Sequence, residues 1–576
     1  MIKGETISER IERKLPGKQR VVAVSRGDAE PDLVLKNATY LNMFSNEYLK
    51  ADIAIAEGLI VGIGEYSAKN EIDVEGKIVC PGFIDAHIHL ESSLVSPSEF
   101  AKAVVSHGTT TVVTDPHEIA NVMGVDGINY MLEATKNLPI DVHFMLPSCV
   151  PATPMDESGA ELDYLTIDPL YDNPRVIGLA EMMNFEGVIQ GADECIEKIL
   201  GSQAHHLKID GHAPGLSGNR LNAYIAAGVY SDHECFSYDN ALEKLRKGQF
   251  IMIREGTAAH NLEALAPLIS EKYHSRCMFA TDDKHPNDLL EKGHIDYIVN
   301  KAVEYGVNPF LAIKIATHEA ARYFQLNNKG AIAPGYLADI IVLDKLEDFT
   351  VEKVFKRGEL VYADGKVKEF KKPQIDSKLV DHAHNTFNVK QVSADDFKLG
   401  DAPLIGLIKD ELLTKDLGRA DHIDIEKDIL KAAVVERHKG TGHIGLSYIN
   451  GYGMKNGAVA TSISHDSHNI IAVGTNDEDI ALAVNTIVKS KGGICVVHDG
   501  KVIGNVPLEI AGLMSEEPLE VVNEKLEDAK LKAFELGVPE GVDPFMTLSF
   551  ISLPVIPDLR ITTKGVFDVN KWDYIK

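Results

Sequence analysis

From residue 77 to about residue 305, short apolar runs alternate with longer amphipathic stretches, which predicts strands and helices in turn. The first run, 77–80, passes through Pro81-Gly82 into a short segment carrying His87 and His89. Further runs cover 109–115, 140–146, 175–181, 207–212, 228–233, 250–254 and 277–282. They are rich in β-branched residues and bounded by Gly, Pro, Asn or Asp, as buried parallel strands are. Helices are expected at 98–106, 125–136, 192–200, 219–227, 238–247, 262–273 and 287–305, with Ser98, Ser237 and Asn261 as caps. Eight strands alternating with helices over roughly 250 residues is the size of a (β/α)8 barrel. The fold class expected is therefore α/β, with the barrel at 79–328.

The flanks carry a different pattern. Strands are predicted at 32–38, 51–56, 59–64 and 71–74, and again at 335–343, 349–355 and 359–363. One small β-domain built from both flanks, 1–78 and 329–380, is the simplest account. Residues 1–78 also hold an N-terminal helical pattern in which Ile7, Ile11 and Leu15 can dock on a neighbour. Residues 385–576 read as a C-terminal α+β domain with helices at 477–490 and 519–536 and strands at 432–437, 470–473 and 493–497.

Barrel enzymes place their chemistry at the C-terminal ends of the strands. His87, His89, Glu181, His212, His233 and Asp282 all fall at such ends. In a strand, residues i and i+2 share a face, so His87 and His89 can hold one ion together. Asp282 completes that set, His212 and His233 hold a second ion, and Glu181 bridges the two. Imidazole and carboxylate donors suit zinc, manganese or iron(II). Such a pair makes hydroxide near neutral pH, and Asp282 is placed to carry its proton to a leaving group. The reaction class expected is hydrolysis at an amide carbonyl or an amidine-like ring carbon. Glu118 and His117, ending the second strand, and Glu91 and Ser92, following the histidine pair, are further substrate or proton-transfer candidates. Glu234 and Asp283 rank lower, because neighbours of ligands on a strand point the other way.

The formal net charge of -28 argues against nucleic acid and anionic membrane as partners. No apolar run is long enough to span a bilayer, and residues 1–20 lack the apolar stretch of a secretory signal. The six cysteines show no paired spacing and read as reduced thiols of a cytoplasmic protein, Cys235 beside His233 being a packing residue. A dinucleotide-type glycine pattern at 440–445 is not followed by an amphipathic helix and carries no weight. His318 is expected to cap or pack. The polar run Ser464-His465-Asp466-Ser467-His468-Asn469 reads either as a polar turn or as a lid over the barrel mouth, with His465 and His468 its chemical residues.

The segment 81–89, with His212, His233, Asp282 and the 335–343 strand, resembles the amidohydrolase superfamily over about residues 30–365. Within it, 89–93, 114–118, 210–216, 281–285 and 464–469 resemble the adenine deaminase family. That resemblance implies conversion of adenine and water to hypoxanthine and ammonia, in purine salvage. It also implies two divalent ions per chain, most often manganese or iron. The expected mechanism is attack of metal-bound hydroxide at the amino-bearing carbon, with Asp282 moving the proton and Glu118 protonating the adjacent ring nitrogen. Glu181 at the fourth strand stands where many hydantoinase-like members carry a carboxylated lysine. The other zinc-deaminase type needs a Cys-x-x-Cys, which this chain lacks. Alternatives are another binuclear amidohydrolase, acting on a cyclic amide or a different base, and a non-catalytic barrel scaffold. A homo-oligomer, dimer or larger, is expected for an acidic barrel of this size.

Overall fold

The computed structural model describes residues 6–257, 259–408 and 411–575. The first five residues of the predicted N-terminal segment thus lie outside the described residues.

Eight parallel strands carry the centre of the molecule. They are β1 (Phe83–Ile88), β2 (Thr109–Thr114), β3 (Asp141–Leu146), β4 (Val176–Met182), β5 (Lys208–Gly211), β6 (Ser231–Asp232), β7 (Phe250–Arg254) and β8 (Cys277–Ala280). β1 to β5 form one parallel sheet in chain order, and β6 to β8 form a second. The free edges of the two sheets approach each other at both ends. The residue after β8 joins β1: Asp282 N–H donates to His87 C=O at 2.9 Å, and His89 N–H donates to Asp282 C=O at 3.0 Å. On the other side Tyr230 N–H donates to Ile209 C=O at 2.9 Å, beside β5. The curled array sets the ends of β1, β4, β5, β6 and β8 around one mouth.

The surrounding helices follow the apolar periodicity, with corrections that have local causes. The stretch expected as one helix at 262–273 ends its α-helical part at Leu265, because Pro267 cannot continue it. The stretch expected at 287–305 is two helices, Pro286–Glu291 and Ile295–Glu304, separated at Gly293, whose φ of 97° breaks the run. Ser98 does not cap: the helix starts at Pro97 and Ser98 is buried within it. Asn261 precedes its helix without capping it. Its side chain instead donates to His233 C=O at 3.2 Å and Cys235 C=O at 2.9 Å and accepts from Arg254 N–H at 2.7 Å. Ser237 does cap, accepting from Asn240 N–H.

Both flanks contribute to one nine-stranded sheet. In it Ile78–Pro81 pairs with Leu33–Asn42 on one side and with Ile340–Leu343 on the other. Gly82 then turns the chain directly into β1, where a Cβ would meet the Thr110 side chain at 2.1 Å. The N-terminal helix Ile7–Ser25 buries Val21 and Val24, while Ile7, Ile11 and Leu15 are exposed. The C-terminal region is an eight-stranded sheet backed by the helices Asp477–Lys489 and Leu519–Glu535. No helix among the described residues is long and apolar enough to cross a membrane.

Candidate metal centre

All six expected ligands meet at the mouth. The Glu181 carboxylate lies at the middle of them. Its Oε1 is 3.3 Å from His89 Nε2 and 3.7 Å from His87 Nε2. Its Oε2 is 2.7 Å from His212 Nδ1 and 3.2 Å from His233 Nε2. Asp282 Oδ1 closes the first side, 3.2 Å from both His87 Nε2 and His89 Nε2. One carboxylate therefore faces two histidine pairs, one through each oxygen.

The residues present fit a pair of divalent ions. Two donors each about 2.1 Å from one ion sit about 3.4 Å apart in tetrahedral geometry, the range spanned here. His87 Nε2 is buried and lacks a hydrogen-bond partner among the described residues, as a ligand atom does. His89 directs Nδ1 at the Asp115 carbonyl, 3.0 Å away, which makes Nδ1 the protonated nitrogen and leaves Nε2 free to ligate. Around His212 and His233 the backbone is anchored from below. Buried Lys244 donates to Ala213 C=O at 2.6 Å and to Asp232 Oδ2 at 2.8 Å.

The electrostatics keep the acids ionised. Burial alone would raise the Glu181 carboxyl, but His233, His212 and His89 outweigh it and hold it well below the usual carboxylate range. Burial opposes ionisation of Asp282 too, and Arg254, His87 and His89 overcome it. Arg254 Nη1 donates to Asp282 Oδ2 at 2.7 Å and to Glu234 Oε1 at 2.6 Å.

Glu234 thus corrects the sequence reading: it faces the site, 3.3 Å from His233 Nε2. β6 is only Ser231–Asp232, shorter than the run expected at 228–233, so strand alternation no longer governs residues 233 and 234. Asp115 and Arg254 went unassigned, yet each stands at or just past a strand end, the same signal that marked the histidines. Cys235 stays off the metal positions, donating its thiol to Asp232 Oδ2 at 3.1 Å. His318 packs edge-on against Phe44, away from the mouth.

The second set of candidates gathers around Glu118, on the helix His117–Met123 after β2. Its Oε1 is 3.0 Å from His465 Nδ1 and 3.5 Å from His117 Nε2, and its Oε2 contacts His468 Nε2. His117 Nδ1 is also 3.6 Å from Glu181 Oε1, so it stands between Glu118 and the ligand cluster. Burial raises the Glu118 carboxyl, but His465 and His468 hold it well below its ordinary value. Burial lowers His465, and Glu118 more than reverses this, pushing it up to about 9. At neutral pH the proton of this pair therefore rests on His465.

The 464–469 run is not a surface turn. It joins the strands Ala458–Thr461 and Ile470–Gly474 and is buried between the two halves of the molecule. His465 N–H donates to Ser549 C=O at 2.8 Å, and buried Arg437 holds the His468 carbonyl. Glu91, buried, accepts from Ile119 N–H at 3.2 Å, and Ser92 donates its hydroxyl to Asp283. Ser92 N–H also donates to His89 C=O at 3.1 Å, which ties this turn to the backbone of one expected ligand. A pocket of about 380 Å³ opens over the centre, its floor Glu181, His233 and Asp282 and its far wall Leu412, Phe550 and Ile556 of the C-terminal region. Phe550, in this pocket, carries no signal in the local sequence that points to the site, whereas Asp466, also in it, lies in the polar 464–469 run.

Residues 78–361 match the amidohydrolase family, so the strand-end histidines and carboxylates belong to a hydrolase of C–N bonds. Residues 409–573 match the adenine deaminase C-terminal domain. The chain is 47% identical over 569 residues to an adenine deaminase of Desulfatibacillum aliphaticivorans, covering 96% of this chain and 99% of that one. It is 45% identical to that of Clostridium acetobutylicum (99% and 100% covered) and 44% identical to that of Bacillus subtilis (94% and 96%). The chain belongs to the adenine deaminase family of the amidohydrolases.

Proposed function

We propose that the protein hydrolyses adenine to hypoxanthine and ammonia in purine salvage, using two divalent ions, manganese foremost with iron or zinc as substitutes. The observation that carries this reading is near-full-length similarity to adenine deaminases in a chain whose Glu181 faces two histidine pairs. His87, His89 and Asp282 would hold one ion and His212 and His233 the other, with Glu181 between them. When bound, the pair supplies Lewis acidity that makes water nucleophilic near neutral pH. In this reading the eight strands act as a closed (β/α)8 barrel, and the cytoplasm, a homo-oligomeric state and the domain limits given above are part of it.

The chain's own residues then divide the work. Asp282, anchored by Arg254, takes the proton of the attacking water and passes it to the departing amine. The His465–Glu118 pair delivers a proton to the ring nitrogen. This modifies the assignment to Glu118 alone, because Glu118 is held ionised and His465 protonated. The apolar wall at Leu412, Phe550 and Ile556 covers the face of a planar base and excludes water. The same chain supplies both halves of this site.

The test is adenine turnover, followed by ultraviolet absorbance and ammonia release, on protein stripped of metal and reloaded with manganese. Activity returning at about two ions per chain is the expected result. Two bound ions without adenine turnover would overturn the substrate, and no metal binding would overturn the centre.

A further inference from the structure

A second, smaller cavity lies behind the active-site pocket, between the barrel and the C-terminal region. Glu118, Asp283, His465 and Phe550 line both spaces. The partition includes the rings of His465 and Phe550, stacked 4.5 Å apart at an interplanar angle of 17°. Beyond it Leu513, Leu526 and Met546 form an apolar wall.

The cavity measures about 40 Å³. That holds a few molecules the size of water and excludes a purine. Its polar side sets carboxylates beside the protonated His465, and burial together with Glu118 pushes the Glu91 carboxyl up to about 7. Glu91 is buried, one of its oxygens accepts from Ile119 N–H, and Oε2 has no hydrogen-bond partner among the described residues. Asp283 stands on the same wall. Lys530, also there, is already paired with Asp543 at 3.0 Å. A small guest rich in hydrogen-bond donors matches this lining in size and meets the unpartnered Glu91 oxygen.

We propose that this cavity receives the amine released by the reaction, as ammonia or ammonium, past the partition of His465 and Phe550. The inference rests on the deamination reading above. In that reaction water gives its oxygen to the ring carbon, and the two hydrogens it brings are balanced by one gained at the adjacent ring nitrogen and one gained by the departing nitrogen. The carbon–nitrogen bond breaks, one NH3 leaves per turnover, and nothing is oxidised or reduced. The purine stays in the larger pocket while the leaving group has its own space.

The test compares adenine with N6-methyladenine, whose leaving group is methylamine, on manganese-loaded enzyme. Leu526 lines the cavity and not the substrate pocket. Leu526→Ala is expected to raise the kcat ratio of N6-methyladenine to adenine about tenfold, kcat being the constant that includes release of the amine and a tenfold step being what one methyl group commands in an apolar site. An unchanged ratio would overturn the proposal. A second measurement needs no variant: inhibition of the wild-type enzyme by ammonium, methylammonium and tetramethylammonium chlorides at constant ionic strength. Ammonium is expected to inhibit at least about tenfold more strongly than tetramethylammonium, and equal inhibition would count against the cavity. A wild-type enzyme inert toward adenine would instead strike the underlying reading.

Discussion

The curled array of parallel strands carries a buried polar cluster at each end, and the two are built on opposite principles. At the bottom, Lys329 meets Asp141 Oδ2 at 2.5 Å and Asp339 Oδ2 at 2.6 Å, and Lys356 meets the same two atoms at 2.8 Å each. Lys356 also donates to Thr110 C=O at 3.0 Å, and Arg357 caps the other Asp141 oxygen at 2.9 Å. Cations and anions interleave until the donors are used. At the mouth, Asp282 and Glu234 share one arginine, Glu181 faces histidines, and those histidines offer acceptor nitrogens as readily as donors. A buried cluster matched within itself serves stability; one with surplus donor atoms directed at a common centre is complete only with a guest.

The largest effect expected from breaking this contrast is Asp282→Asn. Asp282 has φ 62°, a left-handed conformation that asparagine adopts nearly as well as aspartate, so the backbone is retained. Asparagine cannot accept a proton from water. Turnover should fall by about 10²–10⁴-fold, the contribution of positioned proton transfer, with a melting temperature near that of the wild type. Near-normal rates with both metals bound would remove Asp282 from its role.

The opposite result is expected at the bottom. Lys356→Met leaves Asp141 and Asp339 buried with one cation fewer, which costs about 3–5 kcal/mol of stability when a buried pair is broken. Turnover per folded molecule should stay at the wild-type level, since the strand ends that hold the ligands are untouched. Denaturant unfolding beside an activity titration separates the two. A variant that unfolds normally but loses activity would show that the two ends of the strand array are coupled.

The strands, and Glu181 with the five residues that gather around it, were legible because both obey short-range rules. Apolar period marks a buried strand, and a polar residue at its end marks the mouth. Arg254 and Asp115 stand at strand ends too, but their roles, an ion pair to Asp282 and a carbonyl that accepts from His89, depend on tertiary partners that local pattern does not contain. Glu234 was ranked low by strand alternation, which lapses where β6 ends after Ser231–Asp232. The cap assigned to Asn261 was locally reasonable, but its side chain is spent on the carbonyls of His233 and Cys235, a tertiary demand that local pattern does not contain. Least legible was the partnership across the two halves. The 464–469 run announced itself by its density of polar residues, whereas its contact with Glu118, some 350 positions away, exists only in the folded chain.

That contact gives the smallest and most specific prediction. His465 titrates near 9 in the folded protein, because Glu118 outweighs the cost of burying the imidazolium. Its unfolded value is about 6.5. A group whose pKa is raised by folding contributes stability that is fully present below the unfolded value and is lost as pH rises through the folded one. The difference in Tm between wild type and His465→Gln should therefore be greatest near pH 6, shrink between about pH 6.5 and 9, and be gone by about pH 10. Turnover should follow the same limb if the pair supplies the ring proton: wild-type kcat falls as pH passes about 9, while the glutamine variant is slower and lacks that limb. A Tm difference that persists unchanged at pH 10 would mean the contact is a neutral hydrogen bond, and the mouth would then owe its proton to another group.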